Sequence, residues 1–261
     1  GQQAPDNPTA VTCAVISKFP IVENARVNFP GDSSARDPQV VTVEVHGAPV
    51  RIYINHWKSK RGSDVSAETE PMRMAVAELV YQDIQKTRKA DPILDIIVLG
   101  DFNSNYNETQ IEKLPASGIV EGLRATGDER LMLSSSTENL YNLWFDFPPH
   151  KRGNYPFNDS MLAIDSILIS DTLYDFNGLQ YKRKSFAIVG QTCGNEAAEK
   201  KLMNADGSPL RWQVERRQTN TGTYTHHTGI GYSDHLPLIA KFLVFGKHSA
   251  SGNKVQDNPP G

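Results

Sequence analysis

Polar side chains stand at the ends of three apolar, β-rich runs of this sequence. In INHWKSK, His56 closes the first run, and in LGDFNS, Asp101 and Asn103 follow the second. In YSDHLPL, Asp234 and His235 precede the third. Because loops at strand ends hold functional groups on a rigid scaffold, these side chains could meet at one site.

A further acid, Asp165, lies within the apolar stretch LAIDSILIS. A carboxylate flanked by apolar neighbours must find a partner, since its desolvation is otherwise costly. The other motifs have plain structural explanations. A histidine after a strand is usually a surface residue, and Asp101 and Asn103 can bond their own backbone in a turn. It is the combination of motifs that favours a functional site.

The residue types fit chemistry on phosphate esters. Carboxylate and amide oxygens are hard ligands suited to Mg²⁺, Mn²⁺ or Ca²⁺, ions that neutralise charge developing on a phosphoryl group. Two histidines can bond or protonate phosphate oxygens, and a buried aspartate can hold one imidazole in a fixed tautomer. The cations next to His56 either contact flanking phosphates or form a solvated loop; they are Lys58, Lys60 and Arg61.

A zinc centre within THHTGIGYSDH is a competing interpretation of the same region. Its histidines are His226, His227 and His235. Their spacing is not that of a structural zinc site, so the phosphate-ester interpretation is favoured.

The elements that must position these residues are mostly strands. TCAVISKFPIV (Thr12–Val22) predicts a strand ending at Pro20, and two β-rich runs across HGAP predict a hairpin. Apolar residues at helical spacing predict a helix that Thr69 caps and Asp91-Pro92 ends. Further strands are expected in ILDIIVLG, Leu162–Ser170 and His235–Val244. Strands with a few helices between them predict packed sheets with helices outside, an α+β or α/β sandwich.

The composition is that of an ordinary globular protein. The 261 residues are 38% hydrophobic and 22% charged, and no apolar run is long enough to span a bilayer. The net charge of −3 argues against binding a polyanion by bulk charge, although a local basic patch remains compatible with it. Cys13 and Cys193 either form a disulfide or are two separate thiols.

Taken in order, NHWKSK, GDFN, AIDSI and SDHLP resemble motifs of the endonuclease/exonuclease/phosphatase superfamily. The longer phrases YNLWFDFPP, RGNY and GYSDHLPLIAKF are similar to its extracellular bacterial nucleases. The resemblance covers roughly residues 10 to 245. It implies a deoxyribonuclease-like fold, a four-layer α/β/β/α sandwich of two packed sheets with helices outside.

The resemblance also implies roles for the motif residues. His56 and His235 would contact the scissile phosphate, and Asp101, or else a histidine, would deprotonate the attacking water. Asn103 would hold that water or a phosphate oxygen. Asp165 would pair with His235, and Asp234 would serve a metal site, with Mg²⁺ ahead of Mn²⁺ or Ca²⁺. The implied reaction is metal-dependent phosphodiester hydrolysis by in-line attack of water.

One departure from the family pattern affects the metal site. The family has an Asn-bearing strand and then a strand ending in a metal-binding Glu, and neither is found upstream of His56. We therefore expect the domain, residues 1–245, to lack its N-terminal strands and to be completed by an N-terminal fragment. An exposed sheet edge near Val15 and Val41 and an incomplete metal site should follow. The tail, residues 246–261, is polar and expected to be disordered.

The function expected from the sequence is that of a secreted or periplasmic nuclease that cleaves DNA and, as a further substrate, RNA, with no membrane partner. A phosphatase or phospholipase of the same superfamily is the first alternative. An inactive binding protein is the second, because the metal-binding Glu motif is absent from the chain.

Overall fold

The computed structural model describes residues 13–28, 36–60, 69–108, 117–134, 137–157, 160–189, 204, 210, 214–219, 222–228, 231 and 233–246. For residues 214, 216, 217, 219 and 223–227 it describes only the backbone. None of the helices in these ranges is long and apolar enough to cross a membrane.

The described elements are one long helix, several short helical turns and short to medium strands. The helix is α1 (Glu70–Ala90). The strands are β1 (Ile21–Arg26), β2 (Gln39–Val45), β3 (Ala48–His56), β4 (Asp95–Asp101), β5 (Ala125–Thr126), β6 (Leu140–Asn142), β7 (Tyr155–Phe157), β8 (Ser160–Leu162), β9 (Asp165–Ile169), β10 (Leu179–Tyr181), β11 (Ala187–Ile188), β12 (Val214–Thr219), β13 (Gly222–His227), β14 (Leu238–Ile239) and β15 (Phe242–Val244). The helical turns are Gly118–Gly122, Glu129–Leu133, Leu143–Asp146, Pro149–Lys151 and Asp171–Tyr174.

A seven-stranded sheet, ordered β1-β2-β3-β4-β9-β6-β5, forms the centre of the fold. The hairpin expected across HGAP is β2–β3, with Val43 opposite Val50. The β3–β4 and β5–β6 pairs are parallel, whereas β1–β2, β2–β3, β4–β9 and β6–β9 are antiparallel. Helix α1 provides the crossover between β3 and β4, because parallel neighbours need a long connection.

The two faces of this sheet are covered differently. On one face, Val76, Val80 and Ile84 of α1 pack against Tyr53 and Val98 of the sheet. On the other face, the short ladders β10–β15 and β11–β14 contribute buried residues to a second apolar cluster that includes Ile167 and Ile169 of β9. The protein is therefore a mixed α+β fold with a large central sheet, as the sequence predicted.

Helix α1 begins and ends where the sequence predicted. Pro71 occupies its first turn, and the Asp91 amide donates to the Thr87 carbonyl at its end. The predicted cap was wrong in one respect, because the Thr69 hydroxyl accepts a hydrogen bond from Arg73 instead of capping the helix. Arg73 itself is fully buried, with its guanidinium on Glu70.

Two predicted strands were wrong in extent. The described part of the first, residues 13–20, is not a strand, and β1 begins at Ile21, directly after the proline at which the strand was expected to end. The predicted strand His235–Val244 is divided into β14 and β15. Their partners β11 and β10 are separated by a turn at Lys182–Ser185, with Lys184 at a φ of 58°, so one continuous strand would lose register.

The N-terminal edge of the sheet is only partly as expected. Val41 is buried, because β2 pairs with β1 on one side and β3 on the other. Val15 is half-buried against the apolar cluster that contains Val41, so no exposed edge lies there. The exposed apolar side chains are Ile16, which is fully exposed, and Val22 on β1, which is 58% exposed. Cys13 is a half-buried free thiol, and burial raises its pKa, while Cys193 lies outside the described residues. The tail beyond residue 246 also lies outside them.

Candidate active site

The register of three neighbouring strands places His56, Asp101 and Asp165 in one row across the sheet. His56 of β3 is the partner of Asp101 of β4, and Asp101 is the partner of Asp165 of β9. Because side chains alternate between the faces of a strand, this row lies on the face shared with Ile54 and Ile167, away from α1. The fold thereby brings together residues that are more than a hundred positions apart.

Asp165 and His235 form a direct pair. His235 Nδ1 lies 2.5 Å from Asp165 Oδ2, and the His235 amide donates to the Ser233 hydroxyl at 3.0 Å. Burial acts to lower the pKa of His235, but the hydrogen bond to Asp165, and the charges of Asp165, Asp101 and Asp234, outweigh burial and raise it. The imidazole is therefore held in one orientation and favours its protonated form.

Asn154 positions this pair, a role that the sequence did not reveal. Its Nδ2 donates to Asp165 Oδ2 at 2.8 Å and to the Leu236 carbonyl at 2.9 Å. Its backbone carbonyl accepts from the Leu236 amide at 2.8 Å. The buried Asn154 thus fixes both Asp165 and the chain that carries His235. Its only sequence signal was its place in RGNY.

His56 and Asp101 form a looser contact. His56 Nε2 lies 3.6 Å from Asp101 Oδ2. Burial and, to a smaller extent, the negative charge of Asp165 together raise the pKa of Asp101 to about 6. Burial also lowers the pKa of His56, with the positive charge of Arg36 acting in the same direction. This half of the site therefore favours a neutral imidazole beside a carboxylate that is costly to ionise.

Asn103 ties the loop after β4 to the loop after β3. It adopts a left-handed conformation, with a φ of 47°, that Asn tolerates better than most residues. Its amide N–H donates to Asp101 Oδ1 at 2.8 Å, the turn expected of GDFN. Its Nδ2 donates to Asp101 Oδ2 at 3.2 Å and to the Trp57 carbonyl at 3.1 Å. The motif is thus both a turn and a link to the His56 segment.

Gly100 permits the close approach of β3 and β4 behind Asp101. Its φ is +130°, and a Cβ built on it would lie 2.0 Å from the Asn55 carbonyl oxygen. A side chain at this position would push apart the two strands that carry His56 and Asp101.

The three cations predicted to bind phosphate have different surroundings. The Lys60 ammonium pairs with the fully buried carboxylate of Glu108, which also accepts from the Asn105 amide. Lys58 is half-buried, and its backbone carbonyl accepts from Arg73 at 2.9 Å. Arg61 lies outside the described residues. The structure therefore links Lys60 to the loop after β4.

Arg36 is a cation of the site that the motifs did not indicate. Its Nη1 lies 3.4 Å from the His56 carbonyl oxygen and 3.5 Å from that of Trp57. Its charge also acts on the pKa values of His56 and Asp101. It precedes β2, where no sequence pattern marks it as functional.

Asp234 lies on the outer side of His235. Its Oδ1 is 3.9 Å from His235 Nε2, and its side chain is 40% exposed. His226 and His227, named in the zinc interpretation, belong to β13, for which only the backbone is described. Within the described residues, no group of three or more His, Cys, Asp or Glu side chains could hold a metal ion.

A cavity of about 300 Å³ opens beside the Asp165–His235 pair. Apolar side chains of the sheet and of the segment after His235 line it, among them Leu99, Ile167 and Leu238. The polar row thus borders an apolar recess, where charges interact more strongly than in water.

Comparisons with protein families and solved structures identify proteins that are similar to this chain. A model of the Endonuclease/Exonuclease/phosphatase family matches residues 14–243. No curated protein sequence matches the chain. Among solved structures, truncated TDP2 of Caenorhabditis elegans is 14% identical over 88% of this chain and 68% of its own, with a TM-score of 0.49.

Two other solved structures are similar to a comparable degree. A mannosyl-6-phosphatase of Bacteroides thetaiotaomicron is 13% identical over 86% of this chain and 67% of its own, with a TM-score of 0.45. The beta toxin of Staphylococcus aureus, crystallised with bound magnesium ions, is 16% identical over 86% and 65%, with a TM-score of 0.45. The chain spans about two thirds of the length of these structures. Since the family model matches most of its length, the chain belongs to the Endonuclease/Exonuclease/phosphatase family of phosphate-ester hydrolases.

Proposed function

We propose that the protein is a metal-dependent phosphodiester hydrolase, a nuclease that cleaves DNA and, as a second substrate, RNA. The observation that carries the proposal is the row of His56, Asp101 and Asp165 at the ends of adjacent strands, with His235 on Asp165. A protein that only binds a ligand has no need of two carboxylates beside two histidines, one with a lowered and one with a raised pKa.

The protonation states suggest a division of labour during in-line attack of water on a phosphodiester. Asp101 has a pKa raised to about 6, and its ionised carboxylate accepts the proton of the attacking water. His235, with a raised pKa, donates a hydrogen bond to a phosphate oxygen as negative charge develops there. His56, with a lowered pKa, contacts the same phosphate as a neutral imidazole.

We also propose a divalent metal ion, Mg²⁺ first and Mn²⁺ or Ca²⁺ next, with Asp234 as a ligand. Bound near the phosphate, such an ion would supply neutralisation of charge on the phosphoryl oxygens. The raised pKa of Asp101 is compatible with a bound metal ion, since a nearby cation would favour the ionised carboxylate. The set of ligands is incomplete, because the described residues hold no group of three or more His, Cys, Asp or Glu side chains that could bind the ion.

The proposed partners are a nucleic acid, contacted by Lys58 and Arg36, and an N-terminal fragment of the same domain. Exposed apolar side chains on β1, the edge strand of the sheet, such as Ile21 and Val22, support a further segment there. Intact-mass analysis of the purified protein would detect such a fragment, and a single mass on a fully active protein would contradict it. The resemblance to extracellular nucleases supports a secreted or periplasmic location.

The decisive test is degradation of plasmid DNA with and without a chelator, using the wild type and His235→Ala. We expect the chelator to abolish cleavage, and His235→Ala to reduce kcat about a thousandfold, because the variant loses the hydrogen-bond donor proposed to face the phosphate. Activity that resists the chelator, or full activity in the variant, would contradict the mechanism. Intact DNA together with hydrolysis of a phosphomonoester or of sphingomyelin would favour the phosphatase or phospholipase alternative instead.

A further inference from the structure

Three rings stand in line from the candidate active site outward. The Tyr155 ring lies against the His235 imidazole, with centroids 4.5 Å apart and planes at 35°. The Phe157 ring follows, 6.1 Å from Tyr155 and at 19° to it. Tyr155 and Phe157 are two positions apart on β7, so both project from the same face of the strand.

The outermost ring of this line, Phe157, is half exposed. Phe157 is 51% exposed, more than any other phenylalanine among the described residues. A single exposed apolar side chain is common on protein surfaces, so exposure alone indicates nothing. Its position matters more, because Phe157 extends a stack whose inner end touches the residue proposed to bind the scissile phosphate.

The segment that leads into β7 is basic. Between Phe147 and Phe157 the chain carries Lys151 and Arg152 and no acid. Lys151 is exposed, whereas the Arg152 guanidinium lies 4.7 Å from the centroid of the Tyr106 ring. A parallel aromatic stack that follows a basic segment of the chain suits a planar base attached to a phosphate. It fits a lipid surface less well, since membrane insertion needs a wider apolar patch.

Building on the proposed function, we infer that Tyr155 and Phe157 form a platform on which the base next to the scissile phosphate stacks. Every base has a π-face, so such a platform accepts any sequence. It also needs a base that has left its duplex partner. The substrate class is therefore single-stranded or locally unpaired nucleic acid, held by Tyr155 and Phe157 while His235 contacts the neighbouring phosphate.

The test compares two variants on two matched oligodeoxynucleotides, one complete and one abasic at the nucleotide beside the cleavage site. Phe157→Leu keeps an apolar side chain and removes the ring, while Phe157→Trp keeps a stacking surface. We expect Phe157→Leu to lower kcat/KM about tenfold on the complete strand, mainly through KM, and Phe157→Trp to retain it. On the abasic strand, all three proteins should have equal kcat/KM.

Phe245→Leu is the matched control. Phe245 is 49% exposed, and its amide donates to the Gly178 carbonyl. The next residue, Leu179 of β10, donates its amide to Asp95, at the opposite end of β4 from Asp101. Phe245→Leu should leave kcat/KM unchanged on both oligodeoxynucleotides. A 2-aminopurine base at the cleavage site adds a readout independent of turnover, since stacking on Phe157 should quench its fluorescence in the wild type and less in Phe157→Leu.

The possible failures are distinguishable. If the wild type cleaves neither oligonucleotide, the proposed nuclease function itself is wrong. If it cleaves them and Phe157→Leu is unchanged on the complete strand, only the platform is wrong. Weaker binding of Phe157→Leu to phosphatidylcholine–sphingomyelin vesicles, with oligonucleotide cleavage unchanged, would overturn the platform in favour of a membrane contact.

Discussion

The two halves of the candidate site balance their charges in opposite ways. Asp165 is satisfied within the protein, because His235 and Asn154 both bond its Oδ2. Asp101 has bonds from Asn103 and only a loose contact of 3.6 Å with His56, and its pKa rises to about 6. One half is thus preorganised, while the other retains an unfavourable charge that water, a proton or a cation can relieve. Perturbed groups of this kind are typical of catalytic bases.

Asp101→Asn should show the largest effect and separates the two halves most clearly. Removing the proposed base should lower kcat about a thousandfold. The same variant should be more stable. The folded state holds the Asp101 proton with a pKa of about 6, whereas the unfolded state holds it with the ordinary value of 3.8, so ionisation above pH 6 costs the folded wild type stability. We expect a gain of about 3 kcal/mol above that pH, disappearing as the pH falls to 3.8, in denaturant unfolding at several pH values. Unchanged activity, or a gain independent of pH, would contradict the difference between the halves.

Lys60→Met tests whether the loop of His56 is held by an internal ion pair. The substitution leaves Glu108 buried without its cation, and we expect a loss of about 3 kcal/mol in the free energy of unfolding. Lys58→Met, on the neighbouring half-buried lysine, should cost little stability and act mainly on the KM for DNA. A stable Lys60→Met with a raised KM would instead make Lys60 a phosphate ligand. The double variant Lys60→Met/Glu108→Leu should recover part of the lost stability.

Asn154→Ala examines the preorganised half and should have the smallest effect of the three. Loss of the bonds to Asp165 and Leu236 should destabilise the fold by about 2 kcal/mol. If Asn154 positions the dyad, kcat should fall about tenfold with KM nearly constant, even well below the melting temperature. The matched control is Asn139→Ala, whose side chain donates to the hydroxyl of Thr137 two residues away, and it should leave kcat unchanged. Equal kcat in the two variants would reduce Asn154 to a structural role.

Local patterns predicted the parts of the fold that depend on neighbouring residues. The β2–β3 hairpin and the ends of α1 follow from turn and helix signals within a short window. The division of the predicted strand at His235–Val244 does not, because it depends on a turn in the partner chain at Lys182–Ser185. Similarly, Arg73 lies buried on α1 where an apolar residue would be expected, because Glu70 and the Lys58 carbonyl pair with it.

The same distinction applies to the candidate site. The motifs singled out His56, Asp101, Asn103, Asp165 and His235 as candidates, and the structure gathers them at one end of the neighbouring strands β3, β4 and β9. Asn154, Arg36 and the pairing of Lys60 with Glu108 were not, because each depends on contacts between segments distant in sequence. Residues that perform chemistry leave short motifs, whereas residues that hold them in place are recognisable only once the chain has folded.

Under the proposed function, the row across β3, β4 and β9 makes activity depend on correct strand pairing. A slip of one residue on any of these strands would turn its polar member to the α1 face and its apolar neighbours away from their core. Partial activity should therefore not arise from such misfolded molecules. In a refolded preparation, the activity per milligram would count the fraction of chains whose three strands have found their native alignment.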